Sequence, residues 1–268
     1  MRQRALPIRQ AENKMREPAI KIIHIMKKTL FLLTVASLLA FVGCEKETTP
    51  SVEPPSVDGF SVSEGHQVRF ASGNLEFDSI DGYRFAANQY DRGGYFGWGT
   101  GSNPTLTSTN YEDYPTFDDW GSHIDGGWRT LSADEWYYVI WDRTDASSKR
   151  GAATVCGVHG MILLPDNWNG GTFTAGFNGW ETNVYEASSW SAMEAAGTVF
   201  LPAAGCRYED SGYGSSVYYV GKGGYYWSST PYNGSEAFTM DFFDDSLSGH
   251  DGIGNRYTGR AVRLVQDY

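Results

Sequence analysis

Glycine and aromatic residues recur so closely in this chain that no long helix can persist through its body. There are 32 Gly, 17 Tyr and 9 Trp among 268 residues. Glycine inside a helix costs about 1 kcal/mol relative to alanine, whereas Tyr, Trp and Phe suit the pleated, half-buried face of a strand. Short strands, many turns and a Tyr/Trp-rich surface are therefore expected in place of a helical bundle. With 41% hydrophobic and 20% charged residues, the chain has enough apolar surface to bury, which excludes a disordered polymer. Charge is distributed unevenly. Residues 1–43 carry eight Lys/Arg and two Asp/Glu, which leaves 13 basic and 30 acidic residues from position 44 onward, a net −17. An acidic body with no basic stripe argues against nucleic acid as a partner.

The first fifty residues read as an address. From Met26 the sequence runs through Lys27 and Lys28 into an apolar stretch from Leu30 to Val42, followed by Gly43-Cys44. A positive start, a short apolar run and a small residue before the break describe a signal peptide, and the run is too short for an ordinary membrane span. Phe41-Val42-Gly43-Cys44, with Phe41 in place of the usual leucine, resembles a bacterial lipobox. That resemblance implies cleavage before Cys44, acylation of this cysteine (palmitate among the chains) and an outer-membrane, lipid-anchored location. Glu45-Lys46-Glu47 is similar to the acidic tag of lipoproteins that face the cell exterior in some Gram-negative lineages. Residues 1–25 fit no export signal and are read as a mis-assigned upstream start. Residues 44–57, rich in proline, form a semi-extended tether, and a single domain is expected over 58–268.

Within that domain, strand-like runs are expected at Gln67–Phe70, Tyr83–Ala86, Met161–Leu164, Thr198–Leu201, Val217–Val220, Tyr225–Trp227, Ala237–Phe243 and Arg260–Val265. In the seventh, Phe238, Met240 and Phe242 share one face, while Thr239, Asp241 and Phe243 share the other. In the last, Val262 and Leu264 oppose Ala261, Arg263 and Val265. Only two segments read as helical. Ser132-Ala-Asp-Glu135 is a capping box opening Glu135–Arg143, with Trp136, Val139 and Ile140 on one face. Ser191-Ala-Met-Glu194 is a second capping box, with Gly197 placed to end its helix. The result is an α+β domain with mostly antiparallel sheet, two short helices and long loops.

An ordered series of segments supports a more specific comparison. Val68–Leu75, Trp128-Arg-Thr-Leu131, Gly157-Val-His-Gly160, Leu163–Trp168, Phe200–Gly205, Gly224–Thr230 and Gly259–Val265 together resemble the FISUMP (major paralogous domain) group of bacterial surface lipoproteins. The resemblance implies a C-type-lectin-like fold related to the formylglycine-generating-enzyme branch, and it implies no reaction. The C-terminal segment also resembles the variable region of proteins diversified by retroelements, in which loop residues change over a constant scaffold.

Several constellations could carry chemistry. Beyond Cys44, Cys156 and Cys206 could pair as a disulfide, remain as free thiols, or form a copper or redox pair as in the catalytic relatives, whose closely spaced C-terminal cysteines are missing here. His66, His123, His159 and His250 show no zinc spacing, and His159 reads as a satisfied near-core residue. No nucleophile elbow is present, so Ser228 and Ser229 are expected to bond backbone groups. Asp241, Asp244, Asp245 and Asp251 offer oxygen ligands for calcium, but their spacing fails the EF-hand loop and a solvated acidic loop is expected. Asp166-Asn167-Trp168 reads as a turn, as does Gly223-Gly224. No cofactor, metal or catalytic residue is expected.

Binding is the favoured chemistry. Tyr with Ser, Gly, Asn and Asp is the composition of recognition loops. Ligand contact is therefore assigned to Tyr232, Thr239, Asp241, Phe243, His250, Asn255 and Tyr257, around a flexible Ser246–Asn255 loop and away from the helices. The ligand class is a protein or glycan, Trp227 with Val262 and Leu264 is expected in the core, and the alternative functions are an enzyme of the formylglycine-generating branch or a structural surface component.

Overall fold

The first and last segments of the domain meet in one sheet. The computed structural model describes residues 59–210 and 214–268; the lipobox, Cys44 and the tether lie outside these residues. Strand β1 (Phe60–Ser63) turns through Glu64-Gly65 into β2 (His66–Phe70). Gly65 has φ +75°, a left-handed position that glycine adopts without steric cost. The C-terminal strand β15 (Val265–Asp267) pairs antiparallel with β2 on one side and with β5 (Trp128–Arg129) on the other.

Between these ends the chain forms a hairpin of β3 (Leu75–Asp78) and β4 (Gly82–Phe85), then helix α1 (Ala133–Tyr137). Strands β6 (Arg150–Val155), β7 (Val158–Leu163), β8 (Val184–Tyr185) and β9 (Val199–Pro202) make a second sheet in the order β8-β6-β7-β9, with helix α2 (Ala187–Ala195) between β8 and β9. A hairpin of β10 (Cys206–Asp210) and β11 (Gly214–Tyr218) precedes a meander of β12 (Gly224–Pro231), β13 (Glu236–Phe242) and β14 (Leu247–Asn255). All pairings of named strands are antiparallel except β6 with β8. The fold is thus α+β, built mainly from short antiparallel strands with two short helices. Among the described residues no helix is long and apolar enough to cross a membrane.

Both helix expectations hold in part. The capping box at α1 forms as read: Ser132 Oγ accepts from the Glu135 N–H at 3.2 Å, and Glu135 Oε2 accepts from the Ser132 N–H at 2.8 Å. The α-helix stops at Tyr137, and Tyr138–Asp142 continues it as a π turn, closed by the Arg143 N–H on the Tyr138 carbonyl at 2.9 Å. The second capping box is not a start. Helix α2 begins at Ala187, four residues before Ser191, because Trp190 and Met193 are its buried contacts. Gly197, at φ +85°, follows its end as expected.

Two strand readings needed correction. Arg260–Val265 alternates, yet only its last residue enters a strand. The rest is an extended segment held by the Ala71 N–H on the Leu264 carbonyl, the Leu75 N–H on Val262, and the Trp227 N–H on Ala261. Ala261 and Val265 join a core with Trp136, Met161, Met240 and Phe242. Val262 and Leu264 join another with Trp98, Trp120 and Trp227, as the sequence pattern led us to expect. The segment is buried on both sides.

The second correction concerns Ser246–Asn255, expected as a flexible loop and found as strand β14. Its glycines serve close approach. A side chain at Gly249 would meet the Trp141 ring, one at Gly252 the Thr239 backbone, and one at Gly254 the Arg260 guanidinium.

Candidate functional site

Strand β13 carries three of the residues assigned to ligand contact, or borders them, so its two faces decide the outcome. Met240 and Phe242 are buried in the main core, as read. The opposite face is covered as well. Thr239 is 2% exposed. Asp241 Oδ1 accepts from Arg260 Nη1 at 3.0 Å, and that guanidinium lies 5.3 Å from the Tyr225 ring centroid and 5.1 Å from that of Trp227. Burial pushes the Asp241 carboxyl above the ordinary carboxylate range, and the Arg260 charge opposes that push. Thr239 is therefore an interior residue, and Asp241, with its side chain 16% exposed, is paired with Arg260 on a strand, not placed in a solvated acidic loop.

The remaining candidates separate. Phe243 is half-buried, edge-on to Tyr225 at 5.8 Å. Tyr232 is 52% exposed and packs edge-on against Phe238 at 5.2 Å. Asn255 is exposed opposite Glu236, whose carbonyl accepts from the Tyr232 N–H, so these two candidates share one end of the meander. Tyr257 is half-buried. His250 falls within β14, and its side chain lies outside what the structure describes.

Other sequence candidates take structural roles. Cys156 and Cys206 are free thiols, so they form no disulfide. Cys156 occupies a left-handed turn position at φ +49°, and Cys206 is buried, which pushes its thiol pKa up. His159 Nδ1 lies 2.8 Å from the Gly221 carbonyl, and the ring stacks on Trp180 at 5.2 Å. Ser228 Oγ donates to the Phe238 carbonyl at 2.8 Å. Asp166 ties distant segments together. Its Oδ2 accepts from the Ser61 N–H, Ser61 Oγ and Gln67 Nε2 at 2.7, 2.6 and 2.9 Å, and its Oδ1 accepts from buried Arg143 at 3.1 Å. Burial opposes the Asp166 charge, but those donors and the Arg143 guanidinium hold its pKa below the ordinary value.

A concavity lies elsewhere. A cleft of about 800 Å3 opens between α1 with its π turn, the end of β1 and the first half of β14. Trp136, Val139 and Ile140 turn into the core, which leaves Tyr137, Tyr138, Trp141 and Asp142 along the cleft wall. A π turn shifts the helical phase, and such turns recur at functional sites. Ser63, Asp134, Ser248 and Asp251 complete the polar lining, and none of its described lining residues is basic. Trp141 is 44% exposed, with the guanidinium of buried Arg150 stacked 4.1 Å from its ring centroid. That contact fixes the indole so that it can meet a ligand at little entropic cost.

The cleft offers ring surface, phenol hydroxyls and carboxylate acceptors, which is the equipment for binding. The sequence reading assigned ligand contact to residues of β14 and away from the helices, so this wall was not among its candidates. Three aromatic residues on the outward side of an otherwise amphipathic segment were the available signal. Comparison with known proteins adds one partial match: residues 176–265, about a third of the chain, match the family described as Domain of unknown function (DUF8237). No curated protein and no solved structure shows significant similarity to the chain.

Proposed function

We propose that this protein is a lipoprotein of the outer membrane, held through Cys44, whose C-type-lectin-like domain is a non-catalytic binding module that takes a glycan in the cleft of Tyr137, Tyr138 and Trp141. The observation that carries the proposal is the convergence of three aromatic side chains with Asp134, Asp142 and Asp251 around one open concavity. Sugars present apolar C–H faces, which stack on aromatic rings, and hydroxyl donors, which carboxylates accept. The acidic lining favours neutral sugars over anionic ones. A second reading, a basic protein segment, draws on the same carboxylates and on the aptitude of tyrosine for protein recognition. Cys206, buried with a raised thiol pKa, lacks the setting of a reactive cysteine, which weighs against the formylglycine-generating branch.

The test is a glycan array with the full chain, wild type beside Trp141→Ala. We expect binding of neutral glycans, weakened at least tenfold by the substitution, equivalent to about 1.4 kcal/mol. Selective capture of basic peptides supports the second reading, and glycan binding unaffected by Trp141→Ala places the site elsewhere. Replacing Cys44 with Ala should leave the precursor uncleaved or release soluble protein. Mature wild-type protein that retains residues 26–43 in the membrane fraction would sink the anchor.

A further inference from the structure

A second concavity carries the opposite charge. It encloses about 500 Å3 beside β7, and its charged lining residues are Arg92 and Lys222, with His159 between them in composition and no carboxylate. This stands out in a chain with net −17 from residue 44 onward, because the overall field repels anions and only a local cluster of cations can hold one. Both cationic side chains belong to exposed residues. They come from separate segments, the stretch after β4 and the turn after β11, so the fold, and not a run of basic sequence, brings them together.

The rim is shaped for close approach. Gly157 and Gly221 have φ +77° and +71°, and both line the cavity with bare backbone. The Gly221 N–H donates to the Ala203 carbonyl at 2.8 Å, which pins the turn carrying Lys222 against the sheet. The same turn sets the tautomer of His159. Because the Gly221 carbonyl can only accept, Nδ1 donates in the 2.8 Å contact, and Nε2 is the nitrogen left for a ligand. Around that ring stand Thr154 across the ladder, the Trp180 indole and the Val220–Lys222 turn, and the charged groups of the cavity are Arg92 and Lys222.

We infer that this cavity is a binding site for a small sulfate or phosphate ester, held by Arg92 and Lys222. Guanidinium and ammonium groups supply the charge-assisted hydrogen bonds such oxyanions require. The inference is independent of the cleft at Trp141, whose lining is acidic.

Calorimetric titration of the protein with phenyl sulfate and phenyl phosphate tests it. Saturable binding is expected, weakened at least fivefold by Arg92→Ala and by Lys222→Ala, two exposed sites where truncation leaves the fold intact. Absence of saturable binding by either ester overturns the site, as does binding unchanged in the Arg92/Lys222 double variant. Binding to vesicles of anionic phospholipid without binding of the soluble esters replaces the small-molecule site by a membrane contact.

Discussion

The segment from β12 to the C-terminus and the wall formed by α1 with its π turn are both rich in aromatic residues, but they use them in opposite ways. In the first, Trp227 is 1% exposed, and its indole N–H donates to the Phe96 carbonyl at 2.7 Å. Thr239 and Arg260 around it are buried as well, and Asp241 pairs with Arg260. In the second, Trp141 is 44% exposed, with Tyr137 and Tyr138 beside it along a cleft. Tyr/Gly/Asp composition suggests recognition in both regions. What separates them is cover: the Arg260 guanidinium lies over the Asp241 face of the meander, pairing with Asp241 and lying against the Tyr225 and Trp227 rings, whereas Tyr137, Tyr138 and Trp141 line the cleft.

The largest expected effect tests the enclosed half of that contrast. Trp227→Ala should lower stability by about 3–5 kcal/mol, the usual cost of emptying a large core site. A loss under about 1 kcal/mol in denaturant unfolding would place this indole near the surface and erase the distinction. Asp241→Ala follows, at about 3 kcal/mol, because it leaves the Arg260 guanidinium buried without its anion. If Asp241→Ala instead left stability intact while abolishing ligand binding, the buried pair would have to be reassigned to the binding surface.

A smaller effect tests how the cleft wall is held. Asp166 anchors Arg143 at the end of the π turn to the β1–β2 hairpin, and its folded pKa lies below the ordinary 3.8. A carboxyl lowered on folding stabilises the protein above its unfolded pKa and loses that contribution as pH falls through the folded value. Acid unfolding below about pH 4 should therefore be shallower in Asp166→Asn, which should also lose about 1–2 kcal/mol at neutral pH. An identical acid limb would detach this carboxyl from the stability of the wall.

Much of the fold was legible because local chemistry specified it. The Ser132/Glu135 capping box is a reciprocal pair of hydrogen bonds within one turn, readable from spacing alone. The alternation of β13 correctly grouped Met240 with Phe242 and Thr239 with Asp241. Trp227, Val262 and Leu264 fell into one core as expected. What covers the Thr239 face was not legible, because alternation tells which residues share a face and says nothing of what lies over it. Glycines in β14 looked like flexibility and instead admit Trp141, Thr239 and Arg260 at close range.

Sequence alone determined the class of this domain, since dense glycine with abundant aromatics forbids long helices and favours short antiparallel strands. It also determined the registers within single elements, where period and capping act over a few residues. Tertiary structure decided which aromatic cluster stays open. The π turn at Tyr138–Asp142 sets the phase of Trp141, and Arg260 lies over the face of Asp241. Tertiary structure also joined Arg92 to Lys222 across 130 residues of chain. Those outcomes depend on contacts between distant segments, and burial is a property of the segment that arrives as much as of the one it covers.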